Sequence, residues 1–88
     1  MFEWDENKNQ ATILDREISF DFVKRVWDDP NRMIVEENDR GNEHRWIIVG
    51  KIEGKHYTVV YTIREKYSIR IMSARRSRPK EIKKYATQ

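Results

Sequence analysis

Three observations make this an α+β sequence. Apolar residues recur at helical spacing near the start and then give way to four β-branched and aromatic runs. The gaps between those runs are too short for parallel crossovers, so consecutive strands are expected to pair antiparallel. Three Trp, four Tyr and three Phe supply the burial that an 88-residue chain needs for a core. The expected architecture is two N-terminal helices packed on one face of a four-stranded antiparallel meander, followed by a short C-terminal helix, all in one domain over residues 1–88.

Asp5 follows Phe2 and Trp4 and reads as an N-cap. Ala11 and Leu14 then repeat at helical spacing as far as Glu17 and Ile18, which predicts a first helix over about residues 6–16 with Trp4 anchoring its start. Ser19 caps a second short helix, whose stripe of Phe20, Val23, Val26 and Trp27 stops at Asp28-Asp29-Pro30. The period then changes. MIVE, RWIIVG, HYTVVYTIR and YSIRIMSA read as strands separated by NDRGNE, KIEGK and EK. Pro79 opens a short terminal helix or turn. If Glu65-Lys66 is a two-residue turn, Tyr61 lies opposite Arg70 and Ile63 opposite Ser68. Tyr61 and Arg70 then share one sheet face, and Arg64 and Ser73 the other.

Several function classes are excluded or unsupported. A chain without cysteine has neither a disulfide framework nor a thiolate metal site. The opening MFEWDENKNQ lacks a basic region followed by an apolar run, and no stretch approaches the ~18 apolar residues of a membrane span, so a cytoplasmic protein without a membrane partner is expected. Gly41, Gly50 and Gly54 are the only glycines, and none sits in a phosphate-loop setting. His44 and His56 fall on different predicted strands, so neither a metal site nor a cofactor is expected. Serines 19, 68, 73 and 77 have no His and Asp that the sequence puts beside them, which leaves acyl transfer unsupported.

The charge distribution points to phosphate. Residues 1–50 hold 7 Lys+Arg against 12 Asp+Glu, whereas residues 51–88 hold 11 against 3, so a net −5 precedes a net +8. Such a basic portion suits a nucleic acid, and a partner protein that covers it. Its arginines are Arg64 at the end of the third predicted strand, Arg70 within the fourth, then Arg75, Arg76 and Arg78. A planar guanidinium holds phosphate bidentately and keeps its charge near neutral pH. RNA cleavage needs little else, because the 2′-hydroxyl is the nucleophile and the protein supplies cations, a base and an acid. Candidate bases and acids are Lys8, His44, Tyr61, Glu53 and Tyr85. Arg78, Lys80, Lys83, Lys84 and Tyr85 are candidate substrate contacts. The plain alternatives are a docking surface, a cross-strand ion pair of Arg70 with Glu53 or Glu65, an edge-solubilising Arg64, and tryptophans that serve the core.

FEWDENK, ISFDFVKRVWDDP, HRWIIVG, VVYTIR and above all IRIMSARRSRPKEIKKY, in this order and spacing, resemble the BrnT family of ribonuclease toxins from bacterial type II toxin-antitoxin modules. The resemblance covers nearly the whole chain. It implies a RelE-like α+β fold, RNA cleavage that slows translation, and neutralisation by a ribbon-helix-helix antitoxin of the BrnA kind, the complex binding its own operator DNA. Carried over by position, the family's functional lysine falls on Lys8 and its arginines on Arg64, Arg70, Arg75 and Arg76, with Tyr85 at its late tyrosine. The departure is Asp15-Arg16-Glu17, where members commonly read Lys-His-Gly. The expected function is therefore a metal-independent endoribonuclease with catalytic residues Lys8, Tyr61, Arg64, Arg70, Arg75 and Arg76; the alternative is a nucleic-acid-binding or antitoxin-docking module that does not cleave.

Overall fold

The computed structural model describes residues 1–65 and 67–88. Its first helix, α1 (Glu6–Arg16), begins where the Asp5 side chain accepts a hydrogen bond from the Asn7 N–H and ends at Glu17, whose backbone turns left-handed at φ 58°. Ser19 accepts from the Phe22 N–H and starts α2 (Phe20–Val23), which tightens at once into a 3₁₀ turn over Lys24–Asp28. Asn9, buried on α1, fixes the two helices together: its Oδ1 accepts from the Phe20 N–H at 2.8 Å.

Five strands form one mixed sheet, in the order β1-β5-β4-β3-β2. They are β1 (Phe2–Trp4), β2 (Met33–Arg40), β3 (Glu43–Ile52), β4 (Lys55–Arg64) and β5 (Ser68–Arg76), and α3 (Pro79–Ala86) closes the chain. The expected four-stranded antiparallel sheet with two N-terminal helices is therefore wrong in three respects. A fifth strand, β1, pairs parallel with β5 through Phe2↔Ile69, Glu3↔Arg70 and Trp4↔Ile71. That strand is three residues long and its partner lies more than sixty residues away, so no local pattern marks it. The second helix is a single α turn, and α1 contacts the β5 side of the sheet, where Arg16 donates to the Ala74 carbonyl at 3.0 Å. That bond occupies an acceptor at the β5 edge beyond the reach of β1.

The core lies between the helices and one sheet face. Phe20, Val23 and Val26 are fully buried against Ile48, Ile52, Val59 and Ile71, each side chain contributing about 1.5–3 kcal/mol of transfer free energy. The backbone approaches closely here: a Cβ on Gly50 would come within 2.6 Å of Val26 Cγ1. Strands β3 and β4 join through Glu53-Gly54, both at positive φ, the geometry that matches the twist of a two-residue hairpin.

The β4–β5 register differs from expectation by one residue. Arg64 pairs with Ser68, Ile63 with Ile69 and Thr62 with Arg70, so Tyr61 faces Ile71 and not Arg70. Because side chains alternate, that single step moves Tyr61 and Arg70 to opposite faces. The two-residue Glu65-Lys66 turn invoked for the expected register includes Lys66, which lies outside the described residues. Among the described residues, no helix is long and apolar enough to cross a membrane.

Candidate nucleic-acid interface

The α2 helix and its 3₁₀ turn cover one sheet face, with α1 at its β5 side, and α3 covers only one end of the other. There Val49 and Thr58 are buried, and Thr62 is buried further along β4, while the other residues of that face are half-buried or exposed. Alternation along the strands decides what the open face presents. From β2 come Asn38 and Arg40, from β3 Arg45 and Ile47, from β4 Val60, and from β5 Ser73. These residues, with Met72 and with Lys8 from α1, line one groove of about 270 Å³. Its floor is a cross-strand row in which Ile47 pairs with Val60 and Val60 with Ser73. A β-bulge follows: the register steps from Val60↔Ser73 to Tyr61↔Ile71 and leaves Met72 as the extra residue on β5.

The cations around this groove differ in what they already hold. Arg45 makes a loose ion pair with Glu43 at 3.3 Å. Among the described residues, Lys8, Arg40 and Arg64 have no ion-pair partner within 4 Å. Arg70 is paired with Glu3 at 2.8 Å, and Glu3 also accepts from the Ser68 hydroxyl. Those two hydrogen bonds, Ser68 first and Arg70 second, hold the Glu3 carboxyl below its ordinary range. Arg75 is bound more completely: both of its terminal nitrogens donate to Glu81, each at 2.7 Å. Burial works against the Glu81 carboxylate, but Arg75, the Arg78 N–H and the Thr58 hydroxyl outweigh it and bring its pKa down to about 2.

The sequence-predicted residues thus divide. Lys8, Arg64, Arg70 and Arg75 belong to the open side of the molecule. Tyr61 is 6% exposed on the helix-covered face, stacked on Trp46 with ring centroids 5.7 Å apart, and burial pushes its phenol upward. Arg76 also turns to that face, its guanidinium 5.5 Å from the centre of the Tyr57 ring. Tyr85 donates to Asp29 Oδ2 at 2.6 Å, and burial together with that carboxylate pushes it up to about 12. Asp29 also accepts from the Asn31 and Lys51 N–H groups, so this tyrosine ties α3 to the loop before β2 and to β3. Lys80, Lys83, Lys84 and Arg78 are exposed along α3, and Lys84 reaches the Val35 carbonyl at 3.4 Å.

Of the remaining acid-base candidates, His44 lies on the covered side against Trp46. Glu37 and Asp39, at 2.9 and 2.7 Å, raise its pKa. His56 stands against the Tyr85 ring, and burial, with Lys51 and Arg76 nearby, lowers its pKa. Glu53 is paired with Arg25 on the far side of the hairpin turn. None of these three lines the groove. Asn38, Arg40, Arg45 and Ser73 do, and the sequence reading missed them. Arg40 and Arg45 flank a turn in the half of the chain whose net charge is −5, and their signal was the alternation of polar residues at 38 and 40 and at 43 and 45.

The groove is therefore a cationic rim around an aliphatic floor, with an amide and a hydroxyl at its edge. Such a rim suits an anionic ligand. Among the described residues, no three His, Asp or Glu side chains converge as a metal site would need. A family model described as "Ribonuclease toxin, BrnT, of type II toxin-antitoxin system" matches residues 4–81. No curated protein matches the chain.

Proposed function

Because the chain belongs to the BrnT family of type II toxin-antitoxin ribonuclease toxins, we propose that it is a metal-independent endoribonuclease that works on the open sheet face. The observation that carries this reading is the convergence of Lys8, Arg40 and Arg45 on one groove of the open face; Arg64 lies on the same face of β4 as Val60, toward the end of the strand, and lines a neighbouring cavity with Glu43 and His44. The substrate supplies its own nucleophile, the 2′-hydroxyl, so the protein contributes orientation and charge. Arg40, Arg45 and Arg64 hold the scissile phosphate and stabilise the charge it gains as the 2′-oxygen attacks. Lys8, at the α1 side of the groove, donates a proton to the departing 5′-oxygen, and the proton released by the attacking 2′-hydroxyl passes to solvent water, because no His, Asp or Glu side chain lines the groove. Arg70 borders the site and is steadied by Glu3. Arg75 holds α3, and Tyr61 and Arg76 serve the opposite face.

The family brings an antitoxin partner and an RNA substrate. We assign the antitoxin to the ribbon-helix-helix kind, acting in the cytoplasm by covering the basic face and reaching operator DNA only as the complex. A rival reading, RNA binding without cleavage, is favoured by the guanidiniums of Arg70 and Arg75, which are already engaged by carboxylates. Antitoxin-free protein incubated with a structured RNA in excess EDTA separates the two. Cleavage by the wild type, lost in Arg45→Ala and Arg64→Ala, is the expected result. Intact RNA in every lane would remove the metal-independent nuclease and leave the binding module.

A further inference from the structure

We propose that the groove on the open face is a seat for one unstacked nucleobase, with Met72, Ile47 and Val60 as its platform and Asn38 reading the edge of the base. The inference rests on the assignment of this face to RNA, and it names the form of RNA the face takes.

A site for phosphate alone needs no apolar floor. Here three aliphatic side chains, all only half-buried, lie between Lys8 on one side and Arg40 and Arg45 on the other. They leave an apolar surface among those cations, where a sugar-phosphate chain has nothing apolar to offer. The flat face of a base does. In duplex RNA those faces are stacked inside the helix, and only the phosphates, the 2′-hydroxyls and the base edges reach a protein surface. A strand whose base is turned out can lay that base on the floor while its phosphates meet the cations at the rim.

The bulge supports the same assignment. An extra residue in β5 between two regular stretches of pairing re-aims its own side chain, and that residue is Met72. A thioether is polarizable and favours contact with aromatic rings, so it suits a base that arrives without a fixed identity. Asn38 stands at the β2 end of the groove, opposite Arg45 in the β2–β3 register. Among the described residues its side chain makes no hydrogen bond. Its amide carries both donors and an acceptor and can pair with the edge of a seated base.

The test uses 2′-O-methyl oligonucleotides, which cannot undergo 2′-hydroxyl attack, so that binding is read even if cleavage is absent. Fluorescence anisotropy at fixed salt compares four single-stranded homopolymers with a duplex of the same length. The proposal expects single strands to bind at least tenfold tighter than the duplex. Met72→Asp should abolish that difference without lowering the thermal midpoint, and Asn38→Ala should flatten the order of preference among the four bases. Lys8→Ala should weaken all ligands alike. Equal affinity for duplex and single strands, or an unchanged base order in Asn38→Ala, overturns the seat while leaving the nuclease reading standing. No binding of any oligonucleotide overturns both.

Discussion

Arg45 and Arg75 are guanidiniums on the same face of one sheet, yet the carboxylates beside them give them different tasks. Glu43 holds Arg45 loosely at 3.3 Å, whereas Glu81 grips both terminal nitrogens of Arg75 at 2.7 Å. A phosphate can compete for the first and must break a half-buried, bidentate pair to reach the second. Arg45→Ala is therefore expected to lower kcat/KM for RNA about 10²-fold or more, as loss of a transition-state donor does, with the thermal midpoint unchanged. Arg75→Ala should do the reverse and cost about 1.5–3 kcal/mol in urea unfolding, because Glu81 is left without its charged partner. The same pair sets a pH dependence. The Glu81 pKa is depressed from 4.5 to about 2 on folding, so its stabilisation is fully present above pH 4.5 and is lost as pH falls toward 2. The shift sets an upper limit of about 3 kcal/mol, which solvent screening at this half-buried site reduces. Urea melts from pH 5 to pH 2 should show that loss in the wild type and much less of it in Glu81→Gln; identical pH profiles would mean that other carboxylates govern acid unfolding. Sequence alone could not separate the two arginines. Arg75 sat in a conspicuous basic run, and Arg45 was hidden in an acidic half of the chain.

Glu17 and Gly50 are each set by the element they join. Glu17 ends α1 at φ 58°, a left-handed conformation that costs a residue with a Cβ about 1–2 kcal/mol. Glu17→Gly is expected to raise stability by about 1 kcal/mol, less than the full strain because glycine gains freedom in the unfolded chain. Gly50 has no such strain but has no room, since its Cβ would meet Val26 at 2.6 Å. Gly50→Ala should push the 3₁₀ turn off β3 and cost about 1–3 kcal/mol. Denaturant melts of the two variants moving in the same direction would refute this account of the helix-sheet contact. Both helix starts were legible because Asp5 and Ser19 cap within three residues of themselves, and Pro79 marked α3 in the same local way. What depended on distant partners was not legible. β1 exists only because β5 accepts it, and the β4–β5 register turned on one residue that moved Tyr61 into the core and Arg70 onto the open face.

For the molecule as a whole, the net +8 over residues 51–88 overstates what RNA would meet at the proposed groove. That segment's cations are spread over both faces of the sheet and along α3, and two of its arginines are neutralised by Glu3 and Glu81. The groove instead gathers Lys8, Arg40 and Arg45 from the acidic half, and Arg64 from the basic half lies on the same face outside its lining. Folding thus brings cations from the acidic half of the chain into one groove, and it is this local cluster that the proposed site offers to a ligand. Counterion release makes this countable. Each phosphate neutralised on a single strand contributes about 0.7 to the slope of log affinity against log salt, so three or four contacts predict a slope of about −2 to −3. The measurement is anisotropy of a 2′-O-methyl single strand titrated across a range of salt concentrations. Lys8→Ala and Arg45→Ala should each make the slope shallower by about 0.7, and Arg75→Ala should leave it as it was. A wild-type slope near −7 would mean that the entire basic segment engages phosphate, and the assignment of RNA to a bounded groove on the open face would fall.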